Sequence, residues 1–263
     1  VEAGRVAPPV QQGPFSGEEL ERYARHITLR EIGGRGQKAL KEASVLVVGA
    51  GGLGSPAILY LAAAGVGRIG VIDADEVSLS NLQRQVIHTD ERQGMPKVFS
   101  AQKTVAGLNP HVDLRPYNRM LTPEIAEALF ADYDLILDGT DAFATRAMVN
   151  AAAVATGRPV IAGAISAWEG QVTIHDPAGG APSMACIFPK APARGLSATC
   201  AETGVIGALP GVIGSMMALE AVKEITGAGK TLRGRMMIHD ALHAETREIA
   251  VARRADCPVC GGL

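Results

Sequence analysis

No sign of charge dominates this chain. Its 25 Lys and Arg stand against 27 Asp and Glu, for a formal net charge of -2. A surface that holds nucleic acid or an anionic membrane electrostatically needs an excess of positive charge, and this balance gives no reason to expect either partner. A disulfide framework is missing too. There are four cysteines, Cys186, Cys200, Cys257 and Cys260, all in the last third, and that placement reads as a site rather than as staples. No apolar run suits a bilayer. The uncharged stretch from Gly204 to Ala218 is shorter than the ~20 residues a span needs and contains Pro210, so a buried core helix is expected there. The first residues lack the basic start and apolar run of a signal peptide. Residues 1–15 are read as a flexible tail and the cytoplasm as the compartment. Internal repeats and low-complexity tracts are absent.

What is present is enough for one large α/β domain. The chain has 263 residues, of which 47% are hydrophobic and 20% charged, so it can bury a core without disulfides. From Ser16 to Glu42 the pattern is helical, with Ser16 as N-cap before Glu18 and Glu19 and the Gly33-Gly34 pair dividing two helices. Ser44 to Val48 is a short β-branched apolar run, the form of a buried parallel strand. A glycine turn, a helix from Ser55 to Ala64 and a second strand from Arg68 to Asp73 complete a βαβ unit. Helices (Lys97–Leu108, Pro123–Phe130, Phe143–Thr156) then alternate with strands (Val112–Pro116, Asp134–Leu137, Pro159–Ala164). Parallel strands need crossovers, usually helical, so the pattern predicts a doubly wound, Rossmann-like, mostly parallel sheet. Strand signal at Gln171–Ile174 without an intervening helix, and a hairpin over Arg235–His239 and Thr246–Val251, continue it into a mixed or antiparallel C-terminal part. Pro177 to Thr199 lacks periodicity and reads as a mobile loop. The organisation expected is one domain over 16–263: helices at 16–43, a nucleotide-binding part at 44–165 and a partner-binding part at 166–263.

The chemistry sits at the turns. Gly49-Ala50-Gly51-Gly52-Leu53-Gly54 joins the first strand to its helix. Gly49 permits the sharp turn, Gly51 and Gly52 admit phosphate oxygens to the backbone, and Gly54 lets helix and strand pack closely. Unpaired N–H groups at the helix start add positive potential. Asp73 and Asp75 end the second strand, where an acidic residue commonly bonds ribose hydroxyls. Both features suit NAD as well as ATP. The next stretch favours ATP: Asn81, Arg84 and Lys97 supply an amide, a guanidinium and an ammonium that a triphosphate needs and a nicotinamide does not. Asp141, beyond the strand at Asp134–Leu137, is placed for Mg²⁺, which prefers carboxylate and phosphate oxygens. It would also suit the cap of the following helix. An NAD(P)-dependent oxidoreductase explains the glycines and Asp75 but not the cationic set. Against a docking scaffold that binds a partner without ATP turnover stands the intact phosphate-binding set.

These motifs, in this order, carry a resemblance. Arg22-Tyr23-Ala24-Arg25, Gly49 to Gly54, Asp73-Ala74-Asp75, Asn81 to Gln85, Pro96-Lys97, Asp138 to Asp141, Glu169-Gly170-Gln171, Cys200 with Gly204-Val205, and Cys257-Pro258-Val259-Cys260 together resemble the MoeB/ThiF proteins, bacterial relatives of ubiquitin-activating enzymes. The resemblance implies ATP-dependent adenylation of a small ubiquitin-like sulfur-carrier protein ending in Gly-Gly, for molybdopterin, thiamine or related sulfur chemistry. It implies that Asp75 binds ribose, that Asn81, Arg84 and Lys97 hold phosphates, and that Asp141 binds Mg²⁺. It also implies that Arg25 reaches the neighbouring subunit's nucleotide in a homodimer. No sulfurtransferase region follows Leu263, so a separate sulfur donor is expected.

The cysteines depart from that pattern. Cys257 and Cys260 form half of a zinc knuckle, and the resemblance places the other pair near Cys186, where the first cysteine is replaced by Ser183. Two readings stay open: a zinc site one thiolate short, or three reduced thiols in a vestigial site. Cys200 precedes the apolar helix, where a thiol can be activated. The resemblance puts it where some relatives link covalently to carrier or sulfur, and a small buried residue is the plainer alternative.

Overall fold

Eight strands form one sheet in the order β3-β2-β1-β4-β5-β6-β7-β8. They are described by a computed structural model that covers residues 14–190 and 204–262. The strands are β1 (Ser44–Val48), β2 (Arg68–Asp73), β3 (Asp113–Asn118), β4 (Leu135–Asp138), β5 (Val160–Ser166), β6 (Glu169–His175), β7 (Arg235–Asp240) and β8 (Glu245–Ala250). β3 through β5 run parallel and β6 to β8 antiparallel. The expected mostly parallel sheet with an antiparallel continuation is what forms. β1 and β4 are fully apolar at their shared centre because helices cover both faces. On one face α4 (Gly54–Ala64), α5 (Lys97–Leu108) and α9 (Leu209–Thr226) bury Ile58, Leu61, Val98 and Ile213. On the other, α6 (Pro123–Ala131) and α7 (Phe143–Thr156) bury Phe130, Val149 and Ala153.

The N-terminal region holds three helical segments rather than two: α1 (Gly17–Arg22), α2 (Ala24–Ile27) and α3 (Gly33–Glu42). Ser16 caps α1 as expected. Its Oγ accepts from the Glu19 amide at 3.2 Å, and Glu19 Oε2 accepts from the Ser16 amide at 2.8 Å. Gly33, at φ +58°, starts α3 after the Leu29–Ile32 turn, which is why the glycine pair opens a helix. The apolar helix begins at Leu209 and runs on to Thr226. Pro210 lies in its first turn, where the missing N–H has no intrahelical partner to lose; it starts the helix instead of interrupting it. Within the segment read as a loop, Met184–Ile187 forms a short helix, α8. No described helix is long and apolar enough to cross a membrane.

Candidate active site

β2 and β3 lie to one side of β1 and β4 and β5 to the other, so the strand order reverses between β1 and β4. Their carboxyl ends diverge there and open a crevice, the usual ligand position in such sheets. A cleft of about 480 Å³ occupies it. Gly49 turns the chain out of β1 at φ +94°. A methyl on Gly54 would stand 1.9 Å from the Gly49 carbonyl oxygen, so α4 can start only on a glycine. A methyl on Gly51 would meet only Gln85 Nε2, at 3.6 Å. Within the protein, then, Gly54 is required for packing, while Gly51 leaves space that faces the cleft.

Gly49, Gly51, Gly52, Asp73, Asp75, Asn81, Arg84, Lys97 and Asp141 all line this cleft. Their partners refine the roles expected of them. Asp73 is occupied by the turn itself: Oδ2 accepts from the Ala50 amide and Oδ1 from the Asp75 amide, both at 2.8 Å. Asp75 is exposed and accepts from Lys97 Nζ at 2.8 Å. Arg84 Nη2 donates to Asn81 Oδ1 at 3.0 Å and Nη1 to the Ser80 carbonyl at 3.2 Å. Asn81 donates in turn to Ser78 Oγ. The amide, guanidinium and ammonium are thus each held by a neighbour while lining the same cleft as the glycine turn. Asp141 is exposed, and the cap position of α7 falls to Ala142, with no side-chain hydrogen bond. Capping does not occupy the Asp141 carboxylate.

Several contributors were given no individual role by the sequence. His88 is buried beneath the glycine turn, with Nε2 donating to the Ala50 carbonyl and Nδ1 accepting from Ser100 Oγ, each at 2.9 Å. Burial holds its imidazole below the ordinary pKa, so it braces the turn as a neutral group. Asp73 on one side and His88 on the other therefore fix both ends of the Ala50 residue. Gln85 Oε1 is buried in the cleft wall with no hydrogen-bond partner, an unmet acceptor of the kind a ligand or its hydration satisfies. Asp138 accepts from the Thr140 amide at 3.0 Å, and burial raises its carboxyl pKa. Arg146 donates to the Thr140 and Gly163 carbonyls and ties the segment after β4 to the middle of β5. Ile72, Met120 and Leu121 add an apolar wall.

A second cavity, about 210 Å³, lies between α7, β5, β6 and α8. It shares Asp141, Arg146 and Ala164 with the first, so the two meet at these residues. His175 lines it. Burial lowers that imidazole to a pKa of about 4, while a hydrogen bond with the Pro182 carbonyl opposes the shift; its Nδ1 is left without a partner.

Outside both cavities, Cys186, Cys257 and Cys260 converge, all buried, with their sulfurs within 4.8 Å of one another. This donor set fits a soft divalent metal. Arg25 is exposed on α2, lines neither cavity, and makes no side-chain hydrogen bond or ion pair among the described residues. Cys200 lies outside the described residues.

Comparison with known proteins agrees with this geometry. The profile of the ThiF family matches residues 23–259. The sulfur carrier protein adenylyltransferase of Thermus thermophilus is 49% identical over 250 residues, covering 93% of this chain and 92% of that one. A probable adenylyltransferase/sulfurtransferase, MoeZ, of Mycobacterium tuberculosis is 46% identical over 247 residues, and the match spans 93% of this chain but 63% of the mycobacterial one. Among solved structures, PaaA superposes with a TM-score of 0.77 at 26% identity, covering 97% of this chain and 79% of its own.

Proposed function

The chain belongs to the ThiF family, and from that premise we propose that it uses ATP to adenylate the C-terminal Gly-Gly carboxylate of a small ubiquitin-like sulfur-carrier protein. One observation carries the reading: Asn81, Arg84, Lys97 and Asp141 line a single cleft around an open glycine turn at the sheet's switch point. In a dinucleotide oxidoreductase this set of amide, two cations and carboxylate has no joint task. Around a triphosphate it faces the charge that develops when a carboxylate attacks.

ATP lies with its phosphates over Gly51 and Gly52 and its ribose toward Asp75. Its base rests against Ile72, Met120 and Leu121. The carrier's tail reaches the α-phosphorus through the second cavity, which opens onto the cleft at Asp141 and Arg146. A tail carboxylate oxygen forms a bond to the α-phosphorus, the α–β bridging bond breaks, and pyrophosphate leaves with the electron pair. Arg84 and Lys97 hold the displaced phosphates, and no side chain becomes covalently attached in this step. Asp141 is the carboxylate suited to Mg²⁺, which when bound neutralises phosphate charge. Cys186, Cys257 and Cys260 are suited to structural Zn²⁺. Arg25 acts on the nucleotide of a second copy in a homodimer, and a separate sulfurtransferase delivers sulfur to the adenylate, with Cys200 available to the transfer.

Carrier-dependent ATP–pyrophosphate exchange tests this reading. Exchange that requires a Gly-Gly tail supports it; no exchange, together with tight binding of a nicotinamide dinucleotide, refutes it.

A further inference from the structure

Ser183 stands immediately before α8, Cys186 lies within it, and Cys257 and Cys260 belong to the knuckle that follows β8. Four atoms meet there. Ser183 Oγ lies 3.6 Å from Cys186 Sγ, 3.5 Å from Cys257 Sγ and 3.3 Å from Cys260 Sγ, and Cys186 Sγ lies 3.4 Å from Cys260 Sγ. A hydroxyl has one proton and can donate to one sulfur at a time. Near-equal contact with all three is the position of a fourth vertex above a sulfur triangle. A tetrahedral zinc with bonds of about 2.3 Å to sulfur and about 2.1 Å to oxygen sets sulfur and oxygen ligands about 3.6 Å apart. The three Ser183 distances fall at or just below that value.

Burial narrows the source of the fourth ligand. Ser183 is 0% exposed, Cys260 1%, Cys257 5% and Cys186 6%. A site this closed is structural in character, and structural sites draw all four ligands from the protein. Three thiolates around a divalent ion leave one net negative charge. The Arg254 amide donates to Cys186 Sγ at 3.4 Å, and the Arg253 guanidinium donates to the Cys260 carbonyl beside it. Such outer contacts steady an anionic cluster. No His, Asp or Glu joins the cluster among the described residues.

We propose that Ser183 Oγ is the fourth ligand of a structural zinc site made of three sulfurs and one oxygen. The inference rests on reading the cysteine trio as a zinc site and goes beyond it, because Ser183 becomes a ligand rather than the mark of a vestigial site. A hydroxyl binds zinc less strongly than a thiolate, so the metal is held but exchanges more readily than one bound by four thiolates. Its loss would be felt in α8, whose Met184 lines the second cavity and whose amide donates to Asn150 Oδ1 at 2.8 Å.

The test uses the full chain loaded with zinc, read by zinc K-edge X-ray absorption and by competition with a chromophoric chelator. Wild type should show three sulfurs and one light atom. Ser183→Cys should show four sulfurs and resist the chelator better. Ser183→Ala should bind zinc about tenfold or more weakly, since outer-shell losses alone reach that size. A four-sulfur shell in wild type, or equal zinc affinity in wild type and Ser183→Ala, overturns the Ser183 assignment while leaving the cysteine site standing. Absence of zinc binding in wild type and in Ser183→Cys overturns both. Should Ser183→Ala not fold, the change from three sulfurs to four in Ser183→Cys still decides the matter.

Discussion

Lys97 Nζ donates to Asp75 Oδ2 at 2.8 Å, joining an ammonium whose side chain is 5% exposed to a carboxylate that is 71% exposed. The residues proposed to hold phosphate and ribose thus hold each other first. A buried ammonium without a partner is costly, and Asp75 supplies that partner until a phosphate does.

Asp75→Asn should therefore destabilise the nucleotide-free protein more than the protein saturated with MgATP. The expected difference is about 1–2 kcal/mol, since the exposed carboxylate is partly screened. Urea unfolding with and without nucleotide measures it. Equal losses in both states would mean that any relief of the Lys97 charge by the phosphates is no larger than the loss of the ribose contact proposed for Asp75.

The glycine turn yields a contrast between neighbours. Gly54→Ala must push a methyl against the Gly49 carbonyl, and it should cost about 3 kcal/mol or more, or prevent folding. Gly51→Ala meets only the Gln85 side chain. It should fold with near wild-type stability and bind ATP about tenfold or more weakly, because the methyl occupies phosphate space. Thermal unfolding and nucleotide titration check both; undiminished ATP affinity in Gly51→Ala would remove the phosphates from that turn.

These cases show what the sequence made legible. Strand β1 and the Gly49–Gly54 turn obey local rules, an apolar β-branched run followed by backbone that only glycine allows, and both fall where expected. β2, α5 and α7 match for the same reason. Pairings across long separations were not legible. Lys97 with Asp75, His88 with Ala50 and Arg146 with Gly163 depend on how the elements dock. The sequence reads Asp73 and Asp75 together as the acidic end of β2, and the bonds from the Ala50 and Asp75 amides to the two Asp73 oxygens appear only once the turn is built. The second cavity has no motif because its walls come from α7, two hairpin strands and α8.

Asp141→Ala should keep the fold, because the residue is exposed and caps nothing, and lose adenylation by about a hundredfold or more. If Arg25 acts across a dimer, mixing this variant with Arg25→Ala should restore part of the activity through hybrids holding one intact site. Subunit exchange shown by mass spectrometry with no recovery of activity would contradict action in trans.

Stability should fall in mild acid through His175. Its folded pKa, about 4, lies below the ordinary value of 6.5, so the unfolded chain binds the proton first. Above pH 6.5 both states are neutral and nothing is lost. Between pH 6.5 and 4 the unfolded state gains, by about 3 kcal/mol at the lower limit. His175→Gln should flatten this slope in urea unfolding at pH 7, 6 and 5. An unchanged slope would show that other groups set the acid limit.

The most direct test of the central claim is mass spectrometry of a Gly-Gly-tailed β-grasp carrier after incubation with the protein and MgATP. The account predicts a carrier population heavier by one AMP, released pyrophosphate in matching amount, and neither product when the terminal glycine is deleted or Lys97 is replaced by Met. ATP consumed without change in any carrier's mass, or AMP attached equally well to a tail lacking the terminal glycine, would contradict it.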